Sequence, residues 1–265
     1  MKKSASKFYM YGALACVAVI VIVGYLYLFS SFSKSSKTQY VYIDKDDNID
    51  SVYDKVRPIA KTIPYQAFKT LTHHSGYADH VRTGRYAIHP GEGALKIWRH
   101  FKNGLQEPVN LTIPSVRTLD KFASEVSKKL MLGDDELLKA LTDEATCEKY
   151  GYDTATIVCM FIPNTYDIYW NVSVEKFLDR MKKESDKFWN FERTQKAKAM
   201  KLTPAQVITL ASIVDEETAN NGEKPMIAGM YYNRLMLRNA EYPEGMPLQA
   251  DPTIKFAWKR FDLRR

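Results

Sequence analysis

Leu202-Thr203-Pro204-Ala205-Gln206-Val207-Ile208-Thr209-Leu210-Ala211-Ser212-Ile213-Val214-Asp215-Glu216-Glu217-Thr218 reads as one helix whose start is specified by its first five residues. Thr203 is an N-cap type, with a hydroxyl able to accept from first-turn N–H groups. Pro204 then falls at the first helical position, where a missing N–H costs nothing. Gln206 completes a capping-box pattern with Thr203. Leu210, Ile213, Val214 and Glu217 follow at i, i+3, i+4 and i+7 and share one face. Glu216 falls on the polar side with Thr209 and Ser212, and Asp215 lies at an intermediate angle near Ile208. Of the three consecutive acids, Glu217 is therefore the one turned toward apolar surroundings. Burial disfavours a charged carboxyl, and a carboxyl that keeps its proton near neutral pH can act as a general acid. Alternatively, Glu217 ends the stripe and faces solvent near Asn220-Asn221-Gly222. Periodicity leaves both readings open and names no substrate.

Upstream, the stripes Leu119, Phe122, Ala123, Val126, Leu130 and Val174, Phe177, Leu178, Met181, Phe188 predict two more amphipathic helices. Thr118 stands as N-cap of the first. Gly151 to Trp170 between them reads as strand and loop. Before residue 115 the pattern shortens. Tyr40–Ile43, Gly84–Ile88 and Val109–Ile113 have strand character. Asn48 to Thr72 reads as two short helices parted around Pro58 to Pro64, and Ala94–Phe101 as a third, turned by Asn103-Gly104. The fold class expected is α+β, with a small module over residues 38–114 and a helix-rich domain over residues 115–265.

An uncharged apolar run from Phe8 to Phe29 precedes all of this, behind Lys2, Lys3 and Lys7. It reaches the roughly 20 residues that a membrane helix needs. Basic residues before it favour an inside amino end and an outside body. A cleaved signal peptide would have an apolar core of only about 7–15 residues, and here apolar sequence continues far beyond Cys16. Residues 1–29 are thus expected to form an anchor with a cytoplasmic tip. Residues 30–37, rich in Ser and Lys, read as a linker. The net charge of +7 and pI near 9.1 would suit an anionic partner. With the body outside the cytoplasm, a nucleic-acid role is not expected. Cys147 and Cys159 would then lie where they could pair, or remain two buried thiols. The five histidines, His73, His74, His80, His89 and His100, have no spacing that fits a metal site. Neither a metal nor a cofactor is expected.

Leu210–Thr218, Ala228–Leu235 and Met246–Thr253 closely resemble three successive blocks of the endolytic murein transglycosylases, the MltG or YceG-like family. Gly84–Gly91, Asn103-Gly104 and Pro163–Tyr166 look like its weaker landmarks. The family plan of a membrane anchor, a LysM-like module and a catalytic domain is similar too. The resemblance implies that Glu217 is the catalytic acid/base and that Asp215 is not. Asn233, Gln249 and Asp251 match polar positions of the later blocks and are expected to line a glycan cleft or orient Glu217. A helix-surface amide for Asn233 and a turn-forming Asp-Pro for Asp251 are the plainer alternatives. Arg234 is expected to pair with an acidic neighbour. Two departures stand out. Pro114-Ser115-Val116 replaces a Pro-Glu-Gly common in the family, and the chain stops at Arg265, where the family's domain continues, so it looks truncated.

What the resemblance implies is cleavage of the β-1,4 bond between N-acetylmuramic acid and N-acetylglucosamine in nascent peptidoglycan, giving 1,6-anhydro ends and limiting strand elongation. The expected location is the bacterial inner membrane, with a single pass and the catalytic domain in the periplasm. Glycan strands and the membrane are the expected partners, with peptidoglycan synthases as possible neighbours. Two rivals differ in kind: a muramidase using Glu217, water and Asp251, and a non-catalytic membrane-anchored scaffold that binds peptidoglycan.

Overall fold

The computed structural model describes residues 2–113 and 115–262; Pro114 of the Pro114-Ser115-Val116 departure and the last three residues lie outside it. It is a helix-rich α+β fold. In chain order the elements are α1 (Lys2–Phe29), β1 (Gln39–Ile43), α2 (Ile49–Val56), α3 (Thr62–His74), β2 (Gly84–Ile88), α4 (Ala94–Asn103), β3 (Val109–Thr112), α5 (Leu119–Ser127), α6 (Asp134–Thr142), α7 (Glu144–Lys149), β4 (Thr165–Ile168), α8 (Val174–Phe188), α9 (Phe191–Ala199), α10 (Pro204–Glu217), α11 (Lys224–Met236) and α12 (Asp251–Trp258). Contacts divide the chain into two compact units. The first runs to Leu111 and also takes in Ser127–Leu132 and Thr165–Ser173; the second holds the rest.

In the first unit, β1 and β2 pair antiparallel with Val41 opposite Tyr86 and Ile43 opposite Gly84. Alternation along β1 buries Val41 and Ile43 and leaves Tyr40 and Tyr42 outward. The buried face meets α2, α3 and α4 around an aromatic cluster: Phe68 lies 5.9 Å from Phe32 and 5.5 Å from Phe101, which stacks on Tyr86 at 4.5 Å. Asn48 caps α2, accepting from the Ser51 N–H at 3.0 Å. The break before α3 is shorter than the prolines imply, because Pro64 sits in the first turn of α3, where no N–H is required. Gly104 ends α4 in the left-handed region at φ 67°, where glycine avoids a Cβ clash. β3 pairs with β4, a partner distant in sequence.

Residues 30–37 have a linker's composition and not its behaviour. Phe32 is fully buried in the module's core. Its N–H donates to Glu92 at 2.7 Å and its carbonyl accepts from Lys61 at 2.8 Å; the Lys34 N–H donates to Ile59 at 2.9 Å. One buried aromatic residue and three backbone bonds, two of them at Phe32 and one at Lys34, outweigh the Ser/Lys character around it. Met10–Phe29 within α1 is long and apolar enough to cross a membrane.

In the second unit, Phe161 packs between Phe122 of α5 and Phe177 of α8, at 4.5 and 6.1 Å. Leu130, which belongs to the first unit, is buried but lies beyond the end of α5, since the neighbouring Met131 N–H turns to the Trp170 carbonyl of that same unit at 2.7 Å. Cys147 and Cys159 are unpaired buried thiols, not a disulfide. Their sulfurs face the carbonyls of Leu141 at 3.5 Å and Ala205 at 3.8 Å. Burial pushes both thiols up, which makes them poor nucleophiles. α10 begins as expected: Thr203 accepts from the Gln206 N–H at 3.2 Å, and the Gln206 side chain accepts from the Thr203 N–H at 2.8 Å. Thr203→Ala removes the first of these and is expected to cost about 1 kcal/mol, read as a lower urea midpoint at unchanged slope.

Candidate active site

The three acids at the end of α10 separate as the helical period requires. Asp215 is exposed and pairs with Lys224 at 2.6 Å. Glu216 is exposed and takes a bidentate grip from Arg117, whose Nη2 donates to Oε2 at 2.8 Å and whose Nε donates to Oε1 at 3.0 Å. Such surface pairs contribute about 0–1 kcal/mol, so their interest here is positional. Glu217, the last residue of the helix, is the half-buried one. Its neighbour is Tyr231 of α11, whose phenol lies close enough for the Glu217 carboxylate to act on it.

Tyr231 is 2% exposed and belongs to a small core with Leu202, Leu210, Val214 and Ala250. Burial, more than any other cause, raises its phenol above the ordinary value, and the Glu217 charge adds to it. Arg234 opposes the shift and Asp251 supports it, so four ionisable side chains share one neighbourhood. A group with a raised folded value holds its proton more tightly when folded. The stability it contributes is therefore present below its unfolded value and lost as pH rises through the folded one. In Glu217→Gln, the Tyr231 titration is expected to move down toward the ordinary value without reaching it, because burial remains. Ring-labelled tyrosine NMR reads this directly. No movement would mean that the two side chains do not meet.

Arg234 acts on the backbone. Its guanidinium donates to the Leu248 carbonyl, and its own carbonyl accepts from the Met246 N–H at 3.0 Å. The expected acidic partner is replaced by this carbonyl, because the returning 246–250 segment presents main chain to the guanidinium. The result is that Asp251, in the first turn of α12, comes within reach of Tyr231's field. An acid there also suits the helix dipole. Gln249 is exposed, with φ at 51°. Asn233 is exposed and lies roughly 200° round α11 from Tyr231. The fold thus gathers Glu217 and Asp251 about Tyr231, and leaves Asn233 and Gln249 outside that group.

Tyr231 escaped the sequence reading. The available signal was its position in the run Ile227, Tyr231, Leu235, spaced i, i+4, i+8, which places a phenol in the centre of a buried stripe. A buried Tyr hydroxyl needs a polar partner.

The YceG-like family profile matches residues 41–265, most of the chain. The chain belongs to the YceG-like family. Among relatives, it is 25% identical to an endolytic murein transglycosylase of Streptococcus pneumoniae strain R6, over 88% of this chain and 46% of that protein. It is 23% identical to an endolytic murein transglycosylase of Bacillus subtilis strain 168, over 72% of this chain and 55% of that protein. This YceG-like chain therefore spans about half the length of the curated relatives it matches. A crystal structure of a YceG-like protein from Listeria monocytogenes superposes with a TM-score of 0.51 at 23% identity, covering 87% of this chain and 79% of that one, which supports the fold.

Proposed function

We propose that the chain carries the acid/base centre of an endolytic lytic transglycosylase acting on peptidoglycan. One observation carries the reading: of three adjacent acids, Asp215 and Glu216 are exposed and held in surface ion pairs, while Glu217 is set half-buried against a buried phenol. Protonated Glu217 gives its proton to the glycosidic oxygen as the bond from the muramic acid anomeric carbon to that oxygen breaks. The carboxylate then accepts the proton of the same sugar's 6-hydroxyl, whose oxygen bonds to the anomeric carbon. No water is consumed, and a 1,6-anhydro end remains. Tyr231 holds the carboxylate between the two steps, and Asp251 contacts the glycan beside it. In this reading residues 38–114 form the LysM-like module, with its strand–helix–helix–strand order of β1, α2, α3 and β2 in support. Residues 115–265 form the catalytic region. α1 anchors both to the cytoplasmic membrane with the body outside, beside the synthases that extend new strands.

A second reading draws support from Asp251, whose charge reaches the same phenol as Glu217. A muramidase would need such a second carboxylate, roughly 5 Å away for retention or 6.5–9.5 Å for inversion. Mass spectrometry of fragments released from purified glycan strands separates the two. Anhydro-muramic ends support the transglycosylase, and reducing ends refute it in favour of hydrolysis.

A further inference from the structure

A cleft of about 670 Å³ lies where α1 leaves its apolar run, walled by Tyr25 and Phe29 on one side and by Lys96 and Arg99 of α4 on the other. We propose that this cleft holds an anionic phospholipid drawn from the bilayer, with its phosphate between Lys96 and Arg99 and its acyl chains along α1. The inference rests on α1 being a membrane span.

The walls match the two halves of such a ligand. Tyr25 and Phe29 stack at 5.1 Å and remain 62% and 48% exposed, in the last turn of Met10–Phe29. That depth is the interface of the bilayer, where aromatic side chains gather. The apolar surface runs without interruption from this turn down the span, as acyl chains would. Lys96 and Arg99, three apart on α4, face the cleft together. Arg99 is exposed and has no hydrogen-bond or ion-pair partner among the described residues. Lys96 pairs with the buried Glu92 at 2.6 Å, which uses one of its three donors and leaves two for a phosphate. The cleft is preformed. At Gly93 a Cβ would lie 2.6 Å from both the Leu28 carbonyl oxygen and the Phe29 Cα, so only glycine lets the end of α1 press against the start of α4. Tyr27 adds a bond to Thr70 at 2.9 Å, and Phe32 buries itself in the module directly after the span. A span joined to its module this rigidly keeps Lys96 and Arg99 at headgroup height.

The test reconstitutes the full chain in phosphatidylcholine vesicles with and without phosphatidylglycerol, then counts retained lipids by native mass spectrometry. Wild type is expected to retain phosphatidylglycerol in preference to phosphatidylcholine. Arg99→Glu is expected to lose about fivefold or more of that preference, since one cation at an anionic surface contributes about 1 kcal/mol. Arg99→Lys keeps most of it. Lys45→Glu, an exposed cation of the same unit outside the cleft, leaves it unchanged. Equal retention of both lipids, equal loss in Lys45→Glu, or displacement by millimolar inorganic phosphate would each overturn the proposal. If the chain fails to float with either vesicle, the span reading falls and this proposal with it. If it floats without lipid preference, only the proposal falls.

Discussion

Glu217→Gln is expected to lower the rate of glycan cleavage by at least about 10²–10⁴-fold, the usual contribution of a positioned general acid or base. The amide cannot give the first proton or take the second, so both halves of the reaction suffer together. Its size and polarity preserve the contact with Tyr231, so the fold should survive, and circular dichroism checks that. The neighbouring acids are the controls. Asp215→Asn and Glu216→Gln remove exposed ion pairs with Lys224 and Arg117, and surface changes of this kind stay within about 0.5 kcal/mol, roughly a factor of two. The rate is read as anhydro-ended fragments released from purified strands. An unchanged strand-length profile in Glu217→Gln would favour the non-catalytic scaffold. A loss that followed Glu216 instead would refute the assignment of the site.

Phe32→Ala is expected to destabilise the first unit by about 3–5 kcal/mol, the cost of emptying a fully buried aromatic site. That is a large share of the 5–15 kcal/mol that typically holds a domain folded. Hydrogen exchange at the β1 and β2 amides measures it locally. A change within about 0.5 kcal/mol would return residues 30–37 to the status of a free linker.

The contrast between these two positions shows what was legible. The start of α10 and the divergence of its three acids follow from interactions within one helix, a capping box and a 3.6-residue period, and both can be read along the chain. The apolar span and the alternation along β1 are legible for the same reason. Phe32 was not. Its neighbours are Ser and Lys, and its burial depends on Phe68, which folding brings near but sequence keeps distant. β3 likewise takes β4 as its partner, more than fifty residues further along. The cysteines could have paired or not, and only their separate surroundings, by the Leu141 and Ala205 carbonyls, decide that they do not.

The site divides along the same line. By itself the sequence determined which carboxyl leaves the polar face of α10, because helical geometry is local and repeats. The tertiary structure alone decided what that carboxyl meets. Tyr231 reaches Glu217 through the packing of α11 on α10, and Asp251 comes near through the hold of Arg234 on the Leu248 carbonyl. Contacts of that kind depend on how separate helices pack against one another, and no period along a single helix encodes it.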